Sequence, residues 1–276
     1  MSKKSDHTSS DSTNPFAPDH SATRPETYIA TAVTPDRPDQ AGVTDRQERI
    51  PGFDQSTVSG ATVLLVGAGG VGGLVGRYLT WKGVGTLEIL DEDIVDYANL
   101  SRQPYRDADV GRNKAVALAR LLAQDGACDA IITGYPYHFE DAVALGYTFD
   151  PDIVVCCPDN DMARLAVAAR FYGETPVVIT GLDDEANGGY VFVQDPDSAC
   201  FQCFRPDAGG AGACPGAPAV VDPALVIAGL ALYAVDSTLM DRARTWDVTE
   251  LWLSGELPPV VATVDQRPDC TLCGGG

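Results

Sequence analysis

The chain has 276 residues, of which 45% are hydrophobic, enough for one large α/β domain with a substantial core. Its 39 acidic and 19 basic side chains give a formal net charge of −20, which argues against nonspecific binding to nucleic acid or to an anionic membrane. Because the acids are spread along the whole chain, we interpret their excess as an adaptation to high salt, as in a halophilic protein. The alternative is an ordinary acidic protein with an acidic tail.

Residues 1–42 are rich in Ser, Thr, Pro and Asp and show no hydrophobic periodicity. We predict a disordered acidic tail over this range and a single domain over residues 43–276. The chain start has no apolar stretch behind it, and eight cysteines without a secretory signal are typical of a reducing compartment. The sequence therefore predicts a cytoplasmic protein.

Strands and helices alternate through the first two thirds of the predicted domain. The predicted strands cover residues 62–66, 86–90, 130–133, 152–156 and 176–180. The predicted helices between them cover residues 70–82, 113–124 and 161–172. This alternation indicates a mostly parallel sheet with right-handed crossovers and helices on its faces, as in Rossmann-like α/β folds.

The pattern changes after residue 189. Residues 190–193 resemble one arm of a hairpin, an apolar helix is expected over residues 223–240, and short strands over residues 251–264. The longest apolar run, residues 224–235, is shorter than a bilayer span and lies between Asp222 and Asp236, so no membrane segment is predicted. The fold class is thus α/β with a C-terminal antiparallel extension.

A glycine-rich sequence, Gly67-Ala68-Gly69-Gly70-Val71-Gly72, lies between the first predicted strand and its helix. Gly67 would permit the tight turn, Gly69 the approach of a phosphate, and Gly72 close packing of the helix. Asp91 ends the next strand, where a carboxylate can accept hydrogen bonds from ribose hydroxyls. These features predict a nucleotide site.

Three further residues suit a triphosphate better than a nicotinamide dinucleotide. Arg102 can bind phosphate oxygens in a bidentate manner, and Lys114 adds a second positive charge. Asp159 follows a buried strand at the carboxyl edge of the predicted sheet, where it could bind Mg²⁺ between phosphates.

Two cysteine pairs share the same two-residue spacing, in which each pair can bind one metal ion from a tight turn. They are Cys200 with Cys203, and Cys270 with Cys273. Four thiolates are the ligand set of structural zinc, so the sequence predicts one Zn²⁺ site from all four.

Together these stretches resemble the ThiF/MoeB/HesA family, relatives of the ubiquitin-activating enzymes, over about residues 44–274. The resemblance rests on Arg46-Gln47, residues 67–72, residues 91–103, Gly111 with Lys114, Asp159-Asn160 with Arg164, and both cysteine pairs. Asn99-Leu100-Ser101-Arg102-Gln103 combined with the paired cysteines is the specific part, since the glycine loop alone would be weak evidence.

The resemblance implies an ATP-dependent adenylyltransferase. Such enzymes activate the C-terminal glycine carboxylate of a small ubiquitin-like or sulfur-carrier protein ending in Gly-Gly, and a sulfur nucleophile or donor can then attack the acyl-adenylate. By resemblance, Gly67, Gly69, Gly70 and Gly72 form the nucleotide loop, Asp91 binds ribose, and Asp159 binds Mg²⁺. Asn99, Arg102 and Lys114 would bind the phosphates.

Two further roles are implied by the resemblance. Arg46 matches the arginine that reaches into the ATP site of a partner subunit, which implies a homodimer. Cys214 lies where similar enzymes often carry a cysteine that forms thioester or persulfide links. The following residues, 215–218, depart from the family pattern, so a catalytic thiol and a bystander thiol both stay open.

Two other functions are compatible with the same fold. One is a nicotinamide- or flavin-dependent oxidoreductase, which would bind a dinucleotide and not depend on Arg102. The other is a non-catalytic partner-binding subunit of a heterodimeric activating enzyme. The combination of Arg46, Asp91, Arg102, Lys114 and Asp159 argues against the latter.

Overall fold

A computed structural model describes residues 26–35, 42–208 and 219–274 of the chain. Within these residues one sheet contains the strands β1 (Tyr28–Ala32), β2 (Thr62–Val66), β3 (Thr86–Leu90), β4 (Ala130–Tyr135), β5 (Ile153–Cys156), β6 (Val177–Leu182), β7 (Gly188–Gln194), β8 (Val248–Trp252) and β9 (Val260–Ala262). The helices are α1 (Asp45–Glu48), α2 (Gln55–Gly60), α3 (Gly70–Lys82), α4 (Lys114–Asp125), α5 (Phe139–Ala144), α6 (Asp161–Phe171), α7 (Phe201–Phe204) and α8 (Val221–Leu239). Short 3-10 turns cover Tyr97–Asn99 and Asp107–Asp109.

The strand order is β1-β4-β3-β2-β5-β6-β7-β8-β9. Neighbouring strands from β4 to β6 pair in parallel, while β1 and the strands β7 to β9 pair antiparallel with their neighbours. Every residue of β5 and all but the first of β2 are buried, as expected for apolar strands covered on both faces. The predicted α/β sheet with a C-terminal antiparallel extension is confirmed.

Helices cover both faces of the sheet. On one face, α3, α4 and α8 contribute apolar side chains to a core that includes Val63 and Leu65 of β2. On the other face, α5, α6 and α7 pack on a core that includes Leu64 of the same strand. The alternation of β2 side chains between two cores explains why its sequence is a continuous apolar run.

The helix boundaries have local causes. The side chain of Asn113 accepts a hydrogen bond from the Val116 backbone N–H at 3.1 Å, which caps the start of α4. Asn160 caps α6 in the same way, accepting from the Ala163 backbone N–H at 2.9 Å. The helix α3 ends at Lys82 because the next residue, Gly83, has a φ of +88°, a left-handed conformation that glycine adopts readily.

The strand β1 lies within the predicted disordered tail, so that prediction is wrong for Tyr28–Ala32. The strand pairs antiparallel with β4, and Ala32 at its end is fully buried. A hydrogen bond of 2.7 Å from the Thr34 backbone N–H to Asp129 holds the segment in place. The pairing partner is about a hundred residues away, so the local sequence carries little sign of this edge strand. The rest of the predicted tail lies largely outside the described residues.

Among the described residues, α8 is the one helix whose length and composition would allow it to cross a membrane. It has 19 residues with a mean hydropathy of 1.3, so the helix is longer than the apolar run of residues 224–235 from which no membrane segment was predicted. In the fold α8 packs against α3, β6 and β7, with Ile227, Ala231 and Val235 almost completely buried. Its apolar composition is thus accounted for by packing in the core.

The connections reverse direction at β2. The chain proceeds from β2 to β3 on one side and later returns to β5 on the other side. In open α/β sheets such a reversal leaves a crevice at the carboxyl ends of the two strands, here β2 and β5, where ligands bind.

Candidate active site

The glycine turn after β2 has two steric requirements. Gly67 has a φ of +92°, and a β-carbon there would lie 2.7 Å from the Cys157 carbonyl oxygen. A β-carbon at Gly72 would lie 1.9 Å from the Gly67 carbonyl oxygen. At Gly69 the nearest atom would be the Gln103 amide nitrogen, at 3.9 Å. Gly67 and Gly72 are therefore required by the fold, whereas Gly69 borders open space at the start of α3.

The carboxylate of Asp91 is held against this turn. It is 8% exposed, and its two oxygens accept hydrogen bonds from the backbone N–H groups of Ala68, at 2.6 Å, and Asp93, at 2.9 Å. Each carboxylate oxygen has a second acceptor position, so ribose hydroxyls can still be bound. Burial raises the pKa of Asp91 to about 6, against the opposing charge of Lys114.

Lys114 enters the site from the first residue of α4. Its side chain is 10% exposed, and Nζ donates to the Asp93 carboxylate at 2.7 Å. The Asn113 side-chain amide donates to the carbonyl oxygens of Asp91, at 2.7 Å, and Asp93, at 3.1 Å. Lys114 is therefore at the site but already paired with an acid, and a phosphate would share or replace that partner.

Arg102 lies beside the first turn of α3. Its carbonyl oxygen is 3.8 Å from the position of a β-carbon at Gly70, and its Nη1 donates to the Ala98 carbonyl oxygen at 2.8 Å. Asn99 accepts from the Arg102 backbone N–H at 3.1 Å through its carbonyl oxygen. The Asn99 side-chain oxygen accepts from the Asp96 backbone N–H at 2.9 Å. The Arg102 backbone therefore lies beside the N-terminus of α3, where free N–H groups attract anions.

Asp159 follows β5 and is exposed at the same edge, two residues after Cys157, whose carbonyl oxygen packs against Gly67. Burial raises the pKa of Glu92, and the charges of Asp93 and Asp159 lie close enough to contribute. Glu92 and Asp93 follow β3 and Asp159 follows β5, so all three acids come from loops at the carboxyl edge of the sheet. Oxygen donors of this kind fit Mg²⁺.

His138 and Glu92 were not predicted as site residues. His138 Nδ1 lies 3.2 Å from a Glu92 carboxylate oxygen, at the edge of the same acidic group. Both residues come from loops that follow neighbouring parallel strands, β3 and β4. The position of Glu92 directly after Asp91 is the one signal that could have indicated it.

Two buried side chains position the walls of the site. The Tyr105 hydroxyl donates to the Ala68 carbonyl oxygen at 2.6 Å and lies 3.2 Å from that of Lys114, so it joins the glycine turn to α4. Arg164 is 8% exposed and donates to the carbonyl oxygens of Pro158, at 2.6 Å, and Thr180, at 3.0 Å. Arg164 belongs to the family-like motif, whereas no spacing in the sequence marks Tyr105.

Arg46 does not reach the site of its own chain. Its side chain is 88% exposed on α1. The neighbouring Gln47 donates to the Lys82 carbonyl oxygen at 2.8 Å, at the C-terminal end of α3. That end is about 18 Å from the glycine turn along the helix axis.

The four cysteines of the two pairs come together beyond the C-terminal end of β7, toward the edge of the sheet opposite the glycine turn. Their sulfur atoms all lie within 4.8 Å of one another, and three of the residues are buried. Cys200 and Cys270 Sγ are 3.4 Å apart, and Cys200 and Cys203 Sγ are 3.9 Å apart. A tetrahedron with Zn–S bonds of about 2.3 Å has sulfur atoms about 3.8 Å apart, so the donor set fits zinc.

The remaining cysteines differ in position. Cys156 is fully buried in β5, and Cys157 follows it beneath the glycine turn. Burial raises the pKa of Cys157 to about 11, which keeps this thiol protonated near neutral pH. Cys214, the candidate catalytic thiol, lies outside the described residues.

A comparison with protein families matches residues 44–243 to the ThiF family. Among curated proteins, the chain is 31% identical over 179 residues to the ubiquitin-like modifier-activating enzyme 5 of Branchiostoma floridae, covering 60% of this chain and 42% of that protein. It is 36% identical over 151 residues to the adenylyltransferase and sulfurtransferase UBA4 of Candida glabrata, covering 53% of this chain and 34% of that one. It is 31% identical over 165 residues to the molybdopterin-synthase adenylyltransferase of Escherichia coli, covering 58% and 66%.

Solved structures show the same fold. A crystal structure of Escherichia coli MccB with ATP has a TM-score of 0.68 at 18% identity, covering 86% of this chain and 75% of that one. The same protein with MccA-N7isoASN has a TM-score of 0.66 at 21% identity, covering 80% and 69%. The chain spans about two fifths or less of the first curated relatives that it matches.

Proposed function

Because the chain belongs to the ThiF family, we propose that it is an ATP-dependent adenylyltransferase. Its substrate would be the C-terminal glycine carboxylate of a small ubiquitin-like or sulfur-carrier protein. The observation that carries the proposal is the contact of the Asp91 carboxylate with the turn at residues 67–72, with the Arg102 backbone beside Gly70 and Lys114 paired to the neighbouring Asp93. Two cations behind the ribose-binding position suit a triphosphate better than a nicotinamide dinucleotide.

The reaction is an in-line attack of a carboxylate oxygen on the α-phosphorus of ATP. A new oxygen–phosphorus bond forms, the bond to the bridging oxygen breaks, and pyrophosphate leaves with that electron pair. The site has to bring two anions together, so its main contributions are positioning and charge neutralisation. In this proposal Asp91 binds ribose, while Asn99, Arg102, Lys114 and the free N–H groups of α3 bind the phosphates.

Asp159 would hold Mg²⁺, with Glu92 and Asp93 near it. When bound, the ion neutralises charge on the phosphates. The exposure of Asp159 beside the glycine turn supports this assignment, since Mg²⁺ prefers one or two carboxylates together with phosphate oxygens. Arg164 would keep Asp159 in position by holding the preceding Pro158 carbonyl.

A structural Zn²⁺ bound by Cys200, Cys203, Cys270 and Cys273 is part of the proposal. The sulfur distances support it. The Arg267 backbone N–H donates to the Cys203 sulfur at 3.3 Å, a contact that stabilises a metal-bound thiolate. The cluster lies away from the glycine turn, so its role would be structural.

We also propose a homodimer in which Arg46 completes the site of the other chain. Supporting this, Arg46 is almost fully exposed and distant from its own glycine turn. The outward side of α8 is apolar as well: Leu225 and Tyr233 are 43% and 45% exposed, with the exposed Gly229 between them. An apolar helix face with a central glycine suits close contact with a second copy.

The two ends of α8 support a particular arrangement. Near its start, Ala224 lies 3.8 Å from the position of a β-carbon at Gly70, beside the glycine turn. Near its end, Asp236 pairs with Lys82, whose carbonyl oxygen accepts from Gln47 on α1. If two α8 helices cross antiparallel about Gly229, the α1 end of one chain approaches the glycine turn of the other.

Three further expectations belong to the proposal. Cys214 would carry acyl or sulfur intermediates after activation, with a sulfur donor as the second partner. The protein would act in the cytoplasm. The charge of −20 would reflect a saline environment, in which case the free energy of unfolding should rise between low and molar salt as repulsion is screened.

The test is ATP–pyrophosphate exchange with folded ubiquitin-like proteins that end in Gly-Gly. Exchange should require such a protein and its terminal glycines. Tight binding of a nicotinamide or flavin dinucleotide without exchange would instead identify an oxidoreductase. Capture of a partner without exchange would identify a non-catalytic subunit.

A further inference from the structure

The side chain of Gln103 lies against the glycine turn and is only partly exposed. Its amide nitrogen, Nε2, is 3.9 Å from the position of a β-carbon at Gly69. Its amide oxygen, Oε1, is buried, and no group in the described part of the chain donates a hydrogen bond to it. Buried amide oxygens are normally paired, so an unpaired one beside a ligand crevice points to a use of this amide in function.

The backbone that carries this amide is fixed against the turn by the two residues that follow it. The ring of Pro104 lies 2.7 Å from the position of a β-carbon at Gly73, one helical turn into α3. The Tyr105 hydroxyl donates to the Ala68 carbonyl oxygen at 2.6 Å. The Gln103 amide is therefore held in place before any ligand arrives, which is the condition for an effective contact with a reacting group.

The neighbouring contacts indicate which part of ATP meets the amide. Asp91, the proposed ribose ligand, accepts from the Ala68 backbone N–H at 2.6 Å. Gly69 is the next residue along the turn, and the α-phosphate is the group joined to the ribose. A nucleotide whose ribose lies at Asp91 therefore brings its α-phosphate beside Gly69 and the Gln103 amide.

We propose that Gln103 donates a hydrogen bond from Nε2 to the α-phosphate, first in ATP and then in the acyl-adenylate. This inference rests on the proposed adenylyltransferase function. When pyrophosphate leaves, it takes with it the charge that the cations of the site neutralise. The α-phosphate stays, joined to the acyl group, and a neutral amide donor contacts it equally well in both states. Gln103 thus keeps the intermediate in the site until the sulfur nucleophile attacks.

The test compares the binding of AMP with the binding of inorganic pyrophosphate, measured by calorimetry on the full chain. AMP carries the α-phosphate, and pyrophosphate stands for the part that leaves. Gln103→Leu removes both hydrogen-bonding atoms at similar size, and Gln103→Glu keeps the shape but adds a negative charge. The matched control is Gln124→Leu, at an exposed position near the C-terminal end of α4.

In Gln103→Leu we expect the Kd for AMP to rise about tenfold or more, as for the loss of one hydrogen bond to a charged group. The Kd for pyrophosphate and the midpoint of chemical denaturation should stay the same. Gln103→Glu should weaken AMP binding further than Gln103→Leu, because its charge repels the phosphate, and Gln124→Leu should leave every value unchanged.

An unchanged Kd for AMP in Gln103→Leu, or an equal rise for pyrophosphate, would overturn the role of Gln103 while leaving the proposed function intact. An unmodified chain that binds ATP but not AMP would overturn it as well. If the unmodified chain binds neither nucleotide, the proposed function fails, and this inference fails with it.

Retention of the intermediate has a separate readout. With a carrier protein that supports exchange and no sulfur nucleophile, the unmodified chain should hold its acyl-adenylate. In Gln103→Leu the intermediate should escape, and water then cleaves it to the carrier carboxylate and AMP. We expect the rate of AMP release, divided by the rate of ATP–pyrophosphate exchange, to rise about tenfold. A ratio equal to that of Gln124→Leu would show that Gln103 does not retain the intermediate.

Discussion

Single residues at the candidate site differ in how free they are to bind a ligand. Asp91 is buried and already accepts two backbone hydrogen bonds, and Lys114 is paired with Asp93. Arg102 is held through one nitrogen by the Ala98 carbonyl oxygen. Arg102 is therefore the cation with the most donors left for phosphate, and its removal should have the most direct effect on the reaction.

Arg102→Ala should lower the rate of adenylation by about two to three orders of magnitude, because a donor aimed at charge on the phosphates is lost. The free energy of unfolding should change little. Arg112→Ala is a close control, since exposed Arg112 also donates to a carbonyl oxygen four residues earlier, that of Ala108. Exchange assays and chemical denaturation of both variants test this. Equal losses of activity would refute the special role of Arg102.

The pKa of Asp91, raised to about 6, predicts how ATP binding depends on pH. As pH falls through about 6, Asp91 takes up a proton and, if it binds ribose as proposed, accepts hydrogen bonds less well, so the KM for ATP should rise between pH 7 and pH 5. Asp91→Asn should have a raised KM that varies little over this range. A KM for the unmodified enzyme that is flat with pH would show that Asp91 does not contact ATP.

The ionisation of Asp91 should affect the free energy of unfolding in the opposite direction to its effect on ATP binding. Its pKa in the folded chain lies above the ordinary value of 3.8, so the folded state binds the proton first as pH falls. The contribution of Asp91 to the free energy of unfolding is therefore fully present below about pH 4 and is lost as pH rises through about 6.

Among the elements, the turn from β2 into α3 combines two kinds of glycine. Gly72→Ala would place a β-carbon 1.9 Å from the Gly67 carbonyl oxygen, so the free energy of unfolding should fall by more than about 2 kcal/mol. Gly69→Ala meets nothing closer than 3.9 Å and should fold normally while weakening ATP binding. Denaturation and ATP titration of both variants distinguish the cases. Normal ATP affinity in Gly69→Ala would show that no phosphate binds against the Gly69 backbone.

The cysteine cluster joins α7 to the C-terminal segment. Cys203→Ser should lower the zinc content below one ion per chain and the free energy of unfolding by more than about 3 kcal/mol, because metal binding is coupled to folding. Cys128→Ser, at a buried cysteine outside the cluster, is the control and should keep its zinc. Elemental analysis and thermal unfolding measure both effects. A normal zinc content in Cys203→Ser would contradict the four-thiolate site.

The sequence predicted those elements whose stability is local or fully buried. The strands β2, β3 and β5 are short apolar runs, and α3 is bounded by glycines, so their positions follow from the chain itself. The strand β1 and the six-residue helix α5 depend on partners distant in sequence and were not predicted. At the site, Asp91 was indicated by its spacing from the glycines, whereas Tyr105 acts through one buried hydroxyl that no pattern reveals.

At the scale of the whole molecule, the proposed dimer makes each site depend on two chains. Arg46→Ala and Arg102→Ala should each be inactive alone. After subunit exchange, a mixed dimer has one site with both arginines, so an equal mixture should recover about a quarter of the normal activity. Exchange assays on mixed and separate variants, with the dimer verified by light scattering, test this. A dimer that shows no recovery would place Arg46 outside the partner's site.

With a zinc ion bound as proposed, the cysteine cluster closes residues 204–269 into a single loop, which contains α8 and the strands β8 and β9. One cross-link far from the glycine turn would thus frame the helix offered to a second copy. In a cell starved of zinc, we expect such a chain to lose its contact with the second copy before it loses its nucleotide pocket. Metal supply would then control its assembly, independent of how much ATP is available.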